Sequence, residues 1–168
     1  MQYNIASLEV MTAIERLGVL TGLYERRREA LAREAGLTVE QWSVLEEIET
    51  EHFMPSMFAR RRSSSAAAVS KILRQLLDAG LIAVAIGTGD RRCRAYSTTA
   101  KGSEKLSRVR AERRRAINAI WRGFPAQQLR TFSRFAAALS RRIEDYEISA
   151  RVRRKVSRVD SGIRRPQT

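Results

Sequence analysis

One cysteine and one histidine in 168 residues remove several classes of protein at the outset. Cys93 has no partner for an internal disulfide, and Cys93 with His52 cannot furnish the ligand set of a zinc finger or of most transition-metal sites. We therefore expect no metal and no cofactor. A lone histidine also leaves no Ser/His/Asp set, and neither a Walker-type loop nor a Gly-x-Gly-x-x-Gly stretch is present. The chain is expected not to be an enzyme. Its longest apolar run, Leu81 to Ile86, is six residues, against the roughly 20 needed to cross a bilayer. The N-terminus lacks the basic-then-apolar layout of a signal peptide, so the expected location is the cytoplasm, with no membrane partner. Prolines are few as well, at 55, 125 and 166, which leaves long stretches free to be helical.

Acidic residues are scarce beside basic ones. The 18 Asp and Glu face 28 Arg and 4 Lys, a formal net charge of +14. Such a balance points to a polyanionic partner. The charge is uneven: residues 151–168 carry a net +6, leaving +8 for residues 1–150. With Ser, Asp, Gly and Pro and few apolar anchors, 151–168 reads as a basic, disordered tail. Both a solubilising role and a nucleic-acid-binding role fit it.

Apolar residues at spacings of three and four run from Ile5 through Leu8, Met11, Ile14 and Leu17 to Leu31, a long amphipathic helix over 5–34 that stops before Gly36. Thr38 and Gln41 are spaced as a capping box for the next helix, Leu37 can staple onto Trp42, and Trp42, Leu45 and Ile48 give its buried face. Pro55 suits the first turn of a short third helix, 55–62. A fourth, 64–79, places Val69, Ile72, Leu73, Leu76 and Leu77 on one stripe and ends at Gly80. The period then changes. Strands over 81–86 and 91–98 flank Gly87-Thr88-Gly89-Asp90, a β-hairpin with a basic tip. Helices resume over 100–121 and 126–146, broken at Gly123-Phe124-Pro125.

Two helices joined by a serine turn and followed by a basic hairpin form a winged helix-turn-helix, in which the second helix of the pair enters the major groove. The expected fold is mainly α, with a two-stranded β-wing and long N- and C-terminal helices. The stretch "RRRSSSAAAVSK" (60–71) carries the chemistry: charge stops at Arg62 and returns only at Lys71. A helix entering a groove about 12 Å wide needs short side chains where it nears the bases and long cations at its flanks. Ser64, Ser65, Ala66, Ala67 and Ser70 are the candidates for the first role. Arg60, Arg61, Lys71 and Arg74, with Arg91, Arg92 and Arg94 on the wing, are the candidates for the second. Taken alone, Ser63 to Ala68 is equally a helix cap followed by good helix formers, and the adjoining hairpin is what favours the functional reading.

The stretches "GLTVEQWSVLEEIE" (36–49), "FARRRSSSAAAVSKILRQLLDAGLI" (58–82) and "GDRRCRAYSTTAKG" (89–102) resemble the MarR family of regulators, over residues 5–148. The last is the most specific, through Asp90-Arg91-Arg92, Thr99 and Lys101-Gly102. The resemblance implies one unit over 1–150, with 5–34 and 100–148 as dimerisation helices and 37–99 as the DNA-binding lobe. It implies a homodimer on a palindromic double-stranded operator, acting as a repressor relieved by a small aromatic or phenolic effector. Arg92 then falls on the wing arginine that enters the minor groove, with Asp90 ordering it, and Tyr24 and Trp42 fall near the effector cleft, although each reads as well as a core residue. Arg62 departs from the family's pattern, which has an apolar residue there. His52 is given no role, and Cys93, between Arg92 and Arg94, is either an activated thiol or a small strand residue. The rival function is a sequence-indifferent architectural or RNA-binding protein, since charge alone gives affinity for any nucleic acid.

Overall fold

The computed structural model describes residues 5–50, 53–86 and 94–163. Their order is α1 (Ile5–Glu34), α2 (Val39–Ile48), α3 (Pro55–Arg61), α4 (Ala66–Asp78), β1 (Ile82–Ile86), β2 (Arg94–Thr98), α5 (Ala100–Trp121) and α6 (Ala126–Ile163). The strands pair antiparallel, with Ile82 opposite Thr98 and Ile86 opposite Arg94. This is the mainly helical fold with a two-stranded wing that the sequence implies.

The chain forms two compact units, residues 1–119 and 120–168. In the first unit, α2, α4 and α5 close one core, where Val44, Leu45, Val69, Leu76, Leu106 and Val109 are almost wholly buried. The Thr38–Gln41 capping box forms in both directions at the start of α2.

Helix ends repeat one device. Glu34-Ala35-Gly36-Leu37 and Asp78-Ala79-Gly80-Leu81 each place glycine at φ near +65°, where a Cβ would clash with the following carbonyl. In each case the leucine after it donates its N–H five residues back, Leu37 to the Ala32 carbonyl and Leu81 to the Leu76 carbonyl, both at 2.9 Å. The same closure ends α3, with Ser64 N–H on the Ala59 carbonyl at 2.9 Å, but the left-handed residue is Ser63 at φ +50°.

These closures explain where the boundaries differ from expectation. Ser63 and Ser64 are spent in the turn and Ser65 is the N-cap, accepting from Ala68 N–H at 3.1 Å, so α4 begins at Ala66 rather than 64. Leu81 is taken by the α4 closure, so β1 begins at Ile82. The expected hairpin turn, 87–90, and residues 91–93 of the expected second strand lie outside the described residues.

The first turn of α5 is seated on the ends of α4 and α1. Thr99 Oγ1 donates to the Gly80 carbonyl at 2.8 Å and accepts from Gly102 N–H at 3.1 Å. Lys101 Nζ donates to the Ala79 carbonyl at 3.0 Å, and Lys105 Nζ to the Ala35 carbonyl. Gly102 is required by proximity, because a Cβ there would collide with the Leu81 carbonyl oxygen. The Thr99-x-Lys101-Gly102 pattern is thus the joint between α4 and α5.

In the second unit, α6 does not stop near 146 but runs to Ile163. The segment expected to be a disordered tail is helical over 151–163, and residues 164–168 lie outside the described residues. No proline and no glycine fall between Pro125 and Gly162, most of the intervening residues are good helix formers, and Glu147 stands four residues before Arg151. High charge did not prevent helix formation.

Candidate nucleic-acid interface

The helix pair α3–α4 displays its two faces cleanly. Val69, Leu73 and Leu76 are buried, whereas Ser65, Ala66, Ala67, Ser70, Lys71 and Arg74 are all exposed. Thirteen residues of α4 thus present short side chains over the first turn and cations one and two turns on. Neither Lys71 nor Arg74 is held in an ion pair among the described residues. The N-terminal N–H groups of α4 not taken by Ser65 add donors and the positive end of the helix dipole at the same point.

On α3, Arg60 is exposed, and Arg61 contacts the Glu47 carboxylate of α2 through Nη2. Arg62, the C-cap, does not enter the core where an apolar residue was expected; it lies over the Phe58 ring, with Cζ 5.6 Å from the ring centroid. Phe58 is itself buried against Phe53, which also meets Tyr96 of β2, so an aromatic group supports the α3 side of the wing.

Of the wing candidates, Arg94 opens β2 opposite Ile86. Arg91 and Arg92 lie outside the described residues, as do Asp90, Cys93 and His52.

The two effector candidates stand in different settings. Tyr24 is 65% exposed on α1, while Trp42 is 4% exposed in the core. Arg28 lies 5.7 Å over the Trp42 ring and donates to Ser43 Oγ at 2.7 Å, and the Trp42 indole N–H is buried without a partner. Open cavities among the described residues lie on α1. One of about 310 Å³ lies between Leu31 of α1 with Ala35 just after it and Arg108 and Val109 of α5. Another, about 440 Å³, lies where Arg28 and Arg33 of α1 face Thr38 and Glu40. Neither Tyr24 nor Trp42 lines them.

Sequence reasoning passed over Glu47. The signal was available, because Glu46, Glu47 and Glu49 form a cluster of acids in a basic chain. In the structure Glu46 meets Arg113 at 3.8 Å and Glu49 meets Arg110 at 2.6 Å, both on α5, while Glu47 takes an arginine from α3.

Helix, serine turn, outward-facing helix and antiparallel hairpin define a winged helix-turn-helix. Residues 35–92 match the sequence model of the MarR family, and the fold is that of MarR family transcription regulators. A crystal structure of one such regulator is similar at TM-score 0.74 and 22% identity, covering 84% of this chain and 97% of that one. The Staphylococcus aureus MarR in complex with salicylate and kanamycin is similar at TM-score 0.65 and 18% identity, covering 82% and 95%. A mutant of S. aureus MepR bound to an oligodeoxyribonucleotide is similar at TM-score 0.53 and 13% identity, covering 84% and 99%. No curated protein sequence matches the chain. Among the described residues no helix is long and apolar enough to cross a membrane.

Proposed function

We propose that the protein is a sequence-specific, double-stranded DNA-binding transcriptional regulator, a homodimer that acts as a repressor. One observation carries the reading: the exposed face of α4, with Ser65, Ala66, Ala67 and Ser70 ahead of Lys71 and Arg74, stands directly opposite a buried Val69–Leu73–Leu76 stripe. The packing of that stripe fixes which side chains face outward, and those chains suit a major groove. Arg60 and Arg61 on α3 and Arg91, Arg92 and Arg94 on the wing supply phosphate and minor-groove contacts in the same reading, with Ser64 in the turn between the helices. The oligodeoxyribonucleotide complex of the MepR mutant supports it by analogy of fold.

Dimerisation is favoured by the exposed apolar side chains of α1 and α6, which a second copy would cover. A palindromic operator follows from two-fold symmetry, with half-sites about 10 bp apart. Release of DNA by a small aromatic or phenolic effector completes the reading, supported by the salicylate complex of the S. aureus MarR. Tyr24 is the exposed candidate contact for it, and Trp42 is better placed to hold the core.

Footprinting the purified protein on the DNA upstream of its own coding sequence tests the whole. A two-fold-symmetric protected site that resists competition by random duplex and by RNA is expected, at a specificity of roughly 10³–10⁷. The net charge of +14 favours a second reading, a sequence-indifferent architectural or RNA-binding protein. Equal competition by all three nucleic acids would establish that reading instead.

A further inference from the structure

We propose that Glu47 is an internal competitor for Arg61: on DNA of arbitrary sequence it keeps the guanidinium off the backbone, and the closer approach at a specific site lets a phosphate displace the carboxylate, so that sequence-indifferent binding is weakened. The inference rests on the DNA-binding reading above and adds to it a residue that lies outside the proposed interface.

The geometry is asymmetric. Arg61 sits in the last turn of α3, immediately before the C-cap and the serine turn that leads into α4. Its side chain is 59% exposed, whereas that of Glu47 is 22% exposed. The carboxylate is therefore fixed on the lobe and the arginine is the partner able to swing away. An ion pair this exposed contributes little to stability, so parting it costs little. Phosphate is a matched partner for the planar guanidinium, and on DNA its neutralisation also releases counterions, a gain the carboxylate cannot offer.

The placement of the other acids sharpens the point. Glu46 and Glu49 spend themselves on Arg113 and Arg110 of α5, and among the described residues Glu47 is the acid that neutralises a cation of the helix pair proposed to face DNA. In a chain of +14, phosphate contacts made anywhere along a duplex are a liability for a regulator that must find one site. Masking one arginine on the proposed face lowers that background while leaving the base-facing positions of α4 untouched.

The test uses the full chain and a fluorescent duplex of arbitrary sequence, about 30 bp, long enough for two half-sites a helical turn apart. Binding is followed by anisotropy over a range of salt for the unaltered protein, Glu47→Gln, Glu46→Gln, Arg61→Ala and the Glu47→Gln/Arg61→Ala pair. Glu46→Gln makes the same change in net charge at a carboxylate that serves α5. Glu47→Gln is expected to bind up to roughly fivefold more tightly at moderate salt, the upper end of what parting an exposed ion pair costs. Its plot of log K against log salt should steepen by about 0.9, the increment for one added phosphate contact. Glu46→Gln should leave the slope unchanged, and Arg61→Ala should abolish the gain. Glu47→Asp, which keeps the charge but draws the carboxylate back by one methylene, should move the slope in the same direction and serves if Glu47→Gln fails to fold. A slope equal to that of the unaltered protein, or a gain that survives Arg61→Ala, overturns this inference alone. Failure of the unaltered chain to bind duplex at low salt overturns the DNA-binding reading and the inference with it.

Discussion

α4 and α6 are both amphipathic, yet they end in opposite conditions. α4 buries Val69, Leu73 and Leu76 beneath α2 and α3, whereas α6 leaves Phe132, Phe135, Ile143 and Tyr146 exposed, with Leu129 and Leu139 only half covered. α1 repeats the contrast within one helix: Leu31 and Ala32 at its end are buried, while Leu8, Met11, Ile14 and Leu17 are exposed. A winged-helix lobe of this size satisfies its own apolar surface. The long helices carry more than the chain covers, and this exposed apolar area is what the proposed dimer would bury.

The contrast is broken most strongly by emptying the lobe. Leu76→Ala, at a residue with no exposed surface, should cost about 2–5 kcal/mol in denaturant unfolding, because the cavity left cannot collapse. Phe135→Ser should instead act on association: about 2 kcal/mol weaker dimerisation, seen as monomer on dilution in light scattering. If Phe135→Ser left the mass unchanged at every concentration, the exposed stripe of α6 would have no role in pairing.

Gly102→Ala tests the joint rather than the core. Its methyl would meet the Leu81 carbonyl, so either α5 moves off α4 or the closure of α4 opens. A loss of at least about 2 kcal/mol is expected by the same unfolding assay, comparable to overpacking a core. A variant as stable as the unaltered protein would show that α5 is seated elsewhere.

Smaller effects come from the three serines. Ser65→Ala removes the N-cap of α4 and should cost about 1 kcal/mol. Ser63→Gly relieves a left-handed serine and should raise stability by up to about 1 kcal/mol. Opposite signs at residues two apart would show that this turn is built from distinct parts, and equal losses would refute it.

How far the sequence could be read follows the same division. The capping box at Thr38, the stripe of α4 and the limits of α1 and α5 were legible, since each rests on contacts within a few residues of one another. The starts of α4 and β1 were misplaced because Ser63 and Leu81 are claimed by helix closures, and a hydrophobic period does not register which backbone groups are already spoken for. The reach of α6 was missed because Ser, Asp, Gly and Pro with few apolar anchors were read as disorder, although Arg151 to Arg154 propagate a helix well. Trp42 illustrates a different limit: its spacing placed it on the buried face of α2 while the family resemblance placed it near an effector cleft, and the structure shows it buried, with Arg28 packed over its ring. Glu47 was illegible as a partner of Arg61, since 14 residues and a helix boundary separate them.

The central claim is that the outward face of α4 reads bases rather than merely meeting phosphate. Lys71→Ala, measured by anisotropy on the footprinted upstream site and on random duplex at one salt concentration, tests it most directly. The account predicts a loss of roughly 1–3 kcal/mol on the specific site with a much smaller change on random duplex. Equal losses on both would mean that Lys71 touches only the backbone, and would contradict the claim.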